Sequence, residues 1–208
     1  MENPESANPI RNVSDTALWV AVYRAMESER KDALFHDPFA RRLAGERGQA
    51  IVDAMPRGKE LAWAMIVRTA VMDELILQCI RDGATSILNL AAGLDTRAYR
   101  LDLPASLHWY HVDFPPMVEY VKDKLTGEKP RCALEYVAAD LREPEQRDAI
   151  FRKAAENGPV LVITEGLLVY LPAENVADLA KALHQSAQAR WWISDLATPL
   201  LLKRLAKS

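Results

Sequence analysis

The chain has 208 residues, enough for one sizeable core, and its composition of 50% hydrophobic and 26% charged residues is that of an ordinary globular protein. A formal net charge of −3, with acids and bases interspersed, leaves no basic stripe for a phosphate backbone and argues against a nucleic-acid partner. Two cysteines, Cys79 and Cys132, are too few for a disulfide framework. No run approaches the about eighteen apolar residues that span a bilayer, so the expected location is cytoplasmic, with no membrane partner.

Residues 1–12 are polar and proline-bearing, lack the apolar stretch of a secretion signal, and are expected to fray. Ser14 or Asp15 can then cap a helix carrying Leu18, Val22, Ala25 and Met26 on one side. Asp37-Pro38 opens a second helix, with the proline at its first position and an end near Gly45 or Gly48. A short helix over 49–55 precedes the Pro56-Arg-Gly58 break. A long periodic helix follows over 59–81, with Leu61, Met65, Met72, Leu75, Ile76 and Cys79 at helical spacing and Gly83 at its stop. Residues 1–83 thus form an all-helical cap.

From Ala84 the rhythm changes to short apolar runs alternating with helices. Strands are expected over 86–90, 108–112, 134–138, 160–164 and 191–194, with helices over 95–101, 116–125, 143–156 and 173–188. Such alternation implies crossover connections and a parallel sheet, so residues 84–208 form the core of a single α/β domain spanning 1–208. Trp191 and Trp192 are expected to split between the two faces of the last strand.

The candidate chemistry sits at the ends of these strands. Gly93 lies in the turn from the first strand to the next helix, where a residue without Cβ permits unusual φ and close backbone approach; a plain turn glycine explains it equally well. Asp113 closes the second strand twenty residues after Gly93, the place from which an acid holds a ribose, or else it is a turn former ahead of Phe114-Pro115-Pro116. Ala91 and Ala98 stand where a dinucleotide fingerprint would need glycine. A pyrophosphate is therefore disfavoured, and a phosphate-free nucleoside cofactor fits better. Asp95 is expected to cap the helix after this turn.

Asp140 ends the third strand, where a carboxylate can accept from an adenine amine while the next amide meets a ring nitrogen; the alternative is a cap before Glu143-Pro144. Glu165 leaves an apolar strand, and its burial needs a positive partner. That partner is either an α-ammonium group or an arginine from the helical cap. Arg68 interrupts the apolar long helix and needs an anion suited to its fork. Arg24 is a similar but weaker candidate, and Tyr170 is expected to pack as core. His36, His108, His111 and His184 show no metal-ligand spacing.

At these residues the chain resembles the leucine carboxyl methyltransferase-like family of S-adenosylmethionine-dependent O-methyltransferases, over roughly residues 13–199. The resemblance rests on Thr16-Ala-Leu-Trp-Val-Ala21, Asp37-Pro38, Arg68-Thr69, the run from Asn89 to Leu101, Val112-Asp-Phe-Pro115 and Glu165-Gly-Leu-Leu-Val-Tyr-Leu171. It implies a Rossmann-like class I methyltransferase sheet, mostly parallel, and methyl transfer from S-adenosyl-L-methionine to a small-molecule or terminal carboxylate. It further implies that Arg68 holds the methionine carboxylate, and that Gly93, with Ala91 beside it, underlies the methionine moiety. Asp113 would take the ribose, Asp140 and Leu141 the adenine, and Glu165 the amino group.

Family members usually continue past the fifth strand into a further β-hairpin, whereas this sequence closes at Ser208. C-terminal strands are expected to be missing and the fifth strand to be an apolar edge, so that either the chain is shortened or a second copy covers that edge in a homodimer. A carboxylate acceptor, already ionised at neutral pH, needs no general base, in keeping with the lack of a Ser-His-Asp or Cys-His constellation. A hydroxyl acceptor would need one, and His111 or Tyr170 would be the nominees. Two rival readings stay open: an NAD(P)-dependent oxidoreductase, and a catalytically inactive binding or dimerisation module.

Overall fold

A computed structural model describes residues 13–55, 58–196 and 198. The expectations for residues 1–12, the Ser14 side chain, Pro56-Arg57, Leu61 and residues 201–208 lie outside what it describes.

Three helices come first: α1 (Val13–Ser28), α2 (Ala40–Ala54) and α3 (Gly58–Arg81). α2 takes in both helices expected between Asp37 and Met55, and its helical backbone breaks at Gly45 (φ 57°), where the first was expected to end. Asp15 does not cap α1. It lies inside the helix, buried, and takes both nitrogens of the Arg47 fork from α2 at 2.8 and 2.6 Å.

The alternating half follows as β1 (Ser86–Leu90), α4 (Arg97–Arg100), β2 (His108–Asp113), α5 (Pro115–Lys124), β3 (Ala133–Ala138), α6 (Pro144–Ala155), β4 (Val160–Thr164), α7 (Ala173–Ala182) and β5 (Ala189–Ser194). All five strands lie in one sheet of order β3-β2-β1-β4-β5, and every adjacent pair is parallel. The helix expected over 173–188 stops earlier, because a π turn over Leu183–Ala187 and a left-handed Gln188 (φ 49°) redirect the chain into β5.

The central strands β1 and β4 are buried throughout, and so read as unbroken apolar runs rather than alternating ones. Side chains alternate across the sheet. Ile87, Trp109, Leu161 and Ile163 join a core with Val22, Leu43, Met72 and Ile76 of the helical cap. Leu88, Leu90, Tyr110, Val112 and Val162 join a second core with Phe151 of α6 and Leu179 of α7. The layers are therefore helix, sheet, helix. β5 is an edge strand; Trp191 packs against the cap-side core and Trp192 lies half-exposed.

The sheet grows from β1 through β2 to β3 in one direction, then returns to add β4 and β5 on the other side. The order reverses between β1 and β4, and in open parallel sheets ligands bind beyond the carboxyl ends of the strands at such a reversal. Among the described residues no helix is long and apolar enough to cross a membrane.

Candidate functional site

The turn after β1 is the first wall of this crevice. Ala91 takes φ 50° and Gly93 φ 53°, so two residues of three sit in the left-handed region. That conformation costs an alanine about 1–2 kcal/mol, which makes Ala91 a tolerated exception in a turn shaped for glycine. A Cβ on Gly93 would lie 3.4 Å from the Ala17 Cβ, so helix α1 rests directly on the turn. Asp113, at the end of β2, accepts from the Gly93 amide at 2.6 Å and from the Phe114 amide at 2.7 Å. It is thus both the turn former and a carboxylate fixed beside Gly93, with lone pairs left on each oxygen.

Asp140 follows β3 and is held by Arg142, whose Nε and Nη2 reach its oxygens at 3.0 and 2.6 Å. The guanidinium also stacks 5.8 Å from the ring centre of Phe114, which is 51% exposed. The hydrogen bonds of Arg142 hold the Asp140 carboxyl below its usual range, an effect that burial opposes only in part. Asp140 also caps its own turn by accepting from the Arg142 amide. Leu141 lies between the two and packs against the α6/α7-side core.

On the other side of the reversal, Glu165 follows β4. Its partners are arginines: Arg68 of α3 at 2.9 Å and Arg97 of α4 at 2.7 Å. The second of the two expected partners for Glu165, a guanidinium from the helical cap, is therefore the one present. Burial pushes the Glu165 carboxyl up, but the two guanidinium charges outweigh it and leave it below its ordinary range. Arg68 finds its anion within the chain twice over, since its Nη1 also donates to Asp195 beyond β5 at 2.7 Å.

Arg97 is the hub of the site. Its Nε donates to Asp73 of α3 at 2.6 Å, and its Nη1 to Asp95 at 2.8 Å and to Glu165 at 2.7 Å. Arg100 adds two bonds to Asp73. Asp95 accepts from the Arg97 amide at 2.7 Å, so it stabilises the entry to α4 as expected, although the helix starts only at Arg97. Asn89 of β1 donates to the same carboxylate. Burial would raise the Asp95 carboxyl, yet the Arg97 charge and amide hold it far below the usual carboxylate range.

Arg24 closes the cap over the turn, donating to Asp37 at 2.9 Å and to the Leu94 carbonyl at 2.6 Å. Asp37, buried, also accepts from Thr96 at 2.7 Å. Asp37 thus ties α1 to the Gly93 turn, while α2 itself starts at Ala40 after Phe39, so Pro38 is not its first residue.

Every strand of the sheet therefore delivers an acid to one edge: Asp95, Asp113, Asp140, Glu165 and Asp195. Sequence reasoning missed Asp73, Asp195, Asn89 and the hub role of Arg97. Asp73 leaves one signal, an acid within the apolar stripe of the same helix as Arg68. Tyr170, expected in the core, is half-exposed. His111 of β2 is 2% exposed and its Nε2 has no hydrogen-bond partner among the described residues. Burial lowers its pKa, while Asp95, Asp113 and the Gly93 backbone pull the other way. Among the described residues no cluster of histidine, cysteine and acid side chains could hold a metal.

The strand order, the left-handed turn and the row of acids define a doubly wound α/β protein whose acidic side chains gather at its topological reversal. The chain belongs to the leucine carboxyl methyltransferase family, whose model matches residues 17–184. It is 37% identical over 204 residues to a Streptomyces coelicolor protein provisionally named an S-adenosyl-L-methionine-dependent methyltransferase, covering 92% of this chain and 71% of that one. Similarly named relatives from Mycolicibacterium smegmatis (37% identity) and Frankia alni (35%) cover 78% and 79% of this chain. The chain spans only 59% and 61% of the length of those two proteins. The crystal structure of a DUF574 family protein from Streptomyces avermitilis shares the fold, with a TM-score of 0.58 and 18% identity, over 90% of this chain and 73% of that one.

Proposed function

We propose that the protein is an S-adenosyl-L-methionine-dependent methyltransferase acting on the carboxylate of a small acid. The observation that carries this reading is the Asp113–Gly93 clamp, which holds an acid with open lone pairs at the second strand end beside a sharp left-handed turn. A ribose diol is suited to such an acid. The exposed Phe114 ring, beside the Arg142 guanidinium that holds Asp140, offers an apolar face of the kind an adenine needs. Four acids of the row are paired with arginines while Asp113 is held by two backbone amides, and the alanines of the turn deny a pyrophosphate its clearance. The residues present therefore fit the group.

In this reading Arg68 holds the amino-acid carboxylate, and the backbone of Ala91 and Gly93 lies under the methionine moiety. Asp113 takes the ribose hydroxyls, Asp140 and the Leu141 amide the adenine, and Glu165 the ammonium. The bound cofactor supplies a methyl group on a cationic sulfur. The chain supplies placement and exclusion of water. An ionised carboxylate acceptor asks for no proton to be moved, which suits a site whose nearest imidazole, His111, is sealed beneath the turn. The family's carboxyl designation supports the same acceptor class.

Calorimetry with S-adenosylmethionine and S-adenosylhomocysteine tests cofactor binding, with NADH as the control. Incubation with methyl-labelled cofactor and a panel of small carboxylic acids then tests the acceptor. Base-labile methyl esters, releasing volatile methanol, are expected. No heat with either adenosyl ligand ends the proposal, and base-stable label ends its carboxylate half.

A further inference from the structure

Asp195 is the one acid of the row that the sequence reading left unnamed, although it stands directly after β5. One oxygen accepts from the Gly166 amide at 2.7 Å and the other from Arg68 Nη1 at 2.7 Å. A backbone N–H and a guanidinium converging on one carboxylate form an anion cradle, placed beside the point where the strand order reverses. The occupant of that cradle is the chain's own.

We infer that Asp195 is a tethered carboxylate that occupies the anion position of the crevice and must leave when a ligand carboxylate arrives. The inference rests on the cofactor reading above, in which Arg68 takes the carboxylate of the amino-acid moiety. The two nitrogens at the outer end of the Arg68 fork are already divided: Nη2 goes to Glu165 at 2.9 Å and Nη1 to Asp195. Its remaining nitrogen, Nε, is buried and has no partner among the described residues. An incoming carboxylate that takes the Nη1 end of the fork therefore competes with Asp195 for it.

Glu165 is the harder to move. It is bonded a second time by Arg97, and its side chain is 16% exposed. The Asp195 side chain is 28% exposed, and the next residue, Leu196, is 83% exposed. Asp195 thus satisfies the Arg68 and Gly166 donors within the chain and sets a threshold that only a carboxylate-bearing ligand can use.

The test is calorimetric titration of the full chain and its Asp195→Ala and Asp195→Asn variants. The probes are S-adenosylhomocysteine and methylthioadenosine, which lacks the amino-acid part. Freeing the Arg68 and Gly166 donors is expected to tighten S-adenosylhomocysteine by about tenfold, on the order of one charge-assisted hydrogen bond. Methylthioadenosine affinity should stay within about twofold of the parent. Asp195→Asn keeps an oxygen for the Gly166 amide and guards against a folding defect in the alanine variant. Unchanged or weaker S-adenosylhomocysteine binding in both variants, with methylthioadenosine still bound, overturns the displacement and leaves the cofactor reading intact. Failure of all three proteins to bind either ligand overturns the cofactor reading, and the displacement with it.

Discussion

Asp113 and Gly93 are joined by a 2.6 Å hydrogen bond from the Gly93 amide to the Asp113 carboxylate, so the end of one strand fixes the turn that leaves its neighbour. The bond explains how an acid is kept at the crevice in a defined orientation. It also makes a single residue serve two ends, since the carboxylate that shapes the turn is the one available to a ligand.

Replacing Asp113 separates those ends. Asp113→Ala is expected to weaken S-adenosylhomocysteine binding by about 1–3 kcal/mol, because hydrogen bonds to a charged acceptor are lost. Asp113→Asn keeps an oxygen for the Gly93 amide but gives up the charge, so its loss should be the smaller of the two. Calorimetry on both variants checks this, with melting temperature as the control for folding. Equal affinity in the alanine variant and the parent would remove the ribose assignment.

Arg97 and Arg68 carry the same charge but should fail differently. The Arg97 side chain is 3% exposed and bonds Asp73, Asp95 and Glu165. Arg97→Met takes a guanidinium from three buried carboxylates; Asp73 keeps Arg100 and Glu165 keeps Arg68, but Asp95 loses its ion pair, and breaking a buried pair from one side costs about 3–5 kcal/mol. A large drop in the urea midpoint is therefore expected. Arg68 is 18% exposed, and one of its partners, Asp195, is near solvent. Arg68→Met should keep most of the stability and lose most of the affinity for S-adenosylhomocysteine. A collapse in melting temperature for Arg68→Met would make that arginine structural.

The contrast between these two arginines shows what a sequence carries and what it hides. β1 and β4 were legible to the residue, because parallel strands buried on both faces leave uninterrupted apolar runs bounded by turn residues. Asp113, Asp140 and Glu165 were legible as candidates because they stand where those runs end. Arg68 announced itself by breaking an apolar helix. Its partner Asp195 lies 127 residues away, so no local pattern joins them. Arg97 was hidden for a related reason. In the Asp95-Thr96-Arg97 run it reads as an ordinary charge in the first turn of a helix, and only the packing of α3 against α4 brings Asp73 to it. Helix ends were displaced by local bonding: Asp95 accepts the Arg97 amide and delays α4, and the π turn from Leu183 ends α7 at Ala182.

His111 gives the protein a pH dependence of known sign. Burial lowers its pKa in the folded chain, partly offset by Asp95, Asp113 and the Gly93 backbone, whereas in the unfolded chain it titrates near 6.5. Below about pH 6.5 the unfolded state therefore binds a proton that the folded state refuses. The stability contributed by the neutral ring is complete above that value and is lost as pH falls toward the lower folded pKa. The depressed carboxyls of Asp95 and Glu165 act in the same direction but only in more acid solution, below about pH 4, where unfolded carboxylates begin to protonate. Urea midpoints measured from about pH 8 to about pH 5 should fall for the parent and stay nearly level for His111→Gln, which keeps a polar group without a titration. Parallel curves for the two proteins would mean that the His111 ring titrates normally, and that its burial beneath the Gly93 turn imposes no charge penalty.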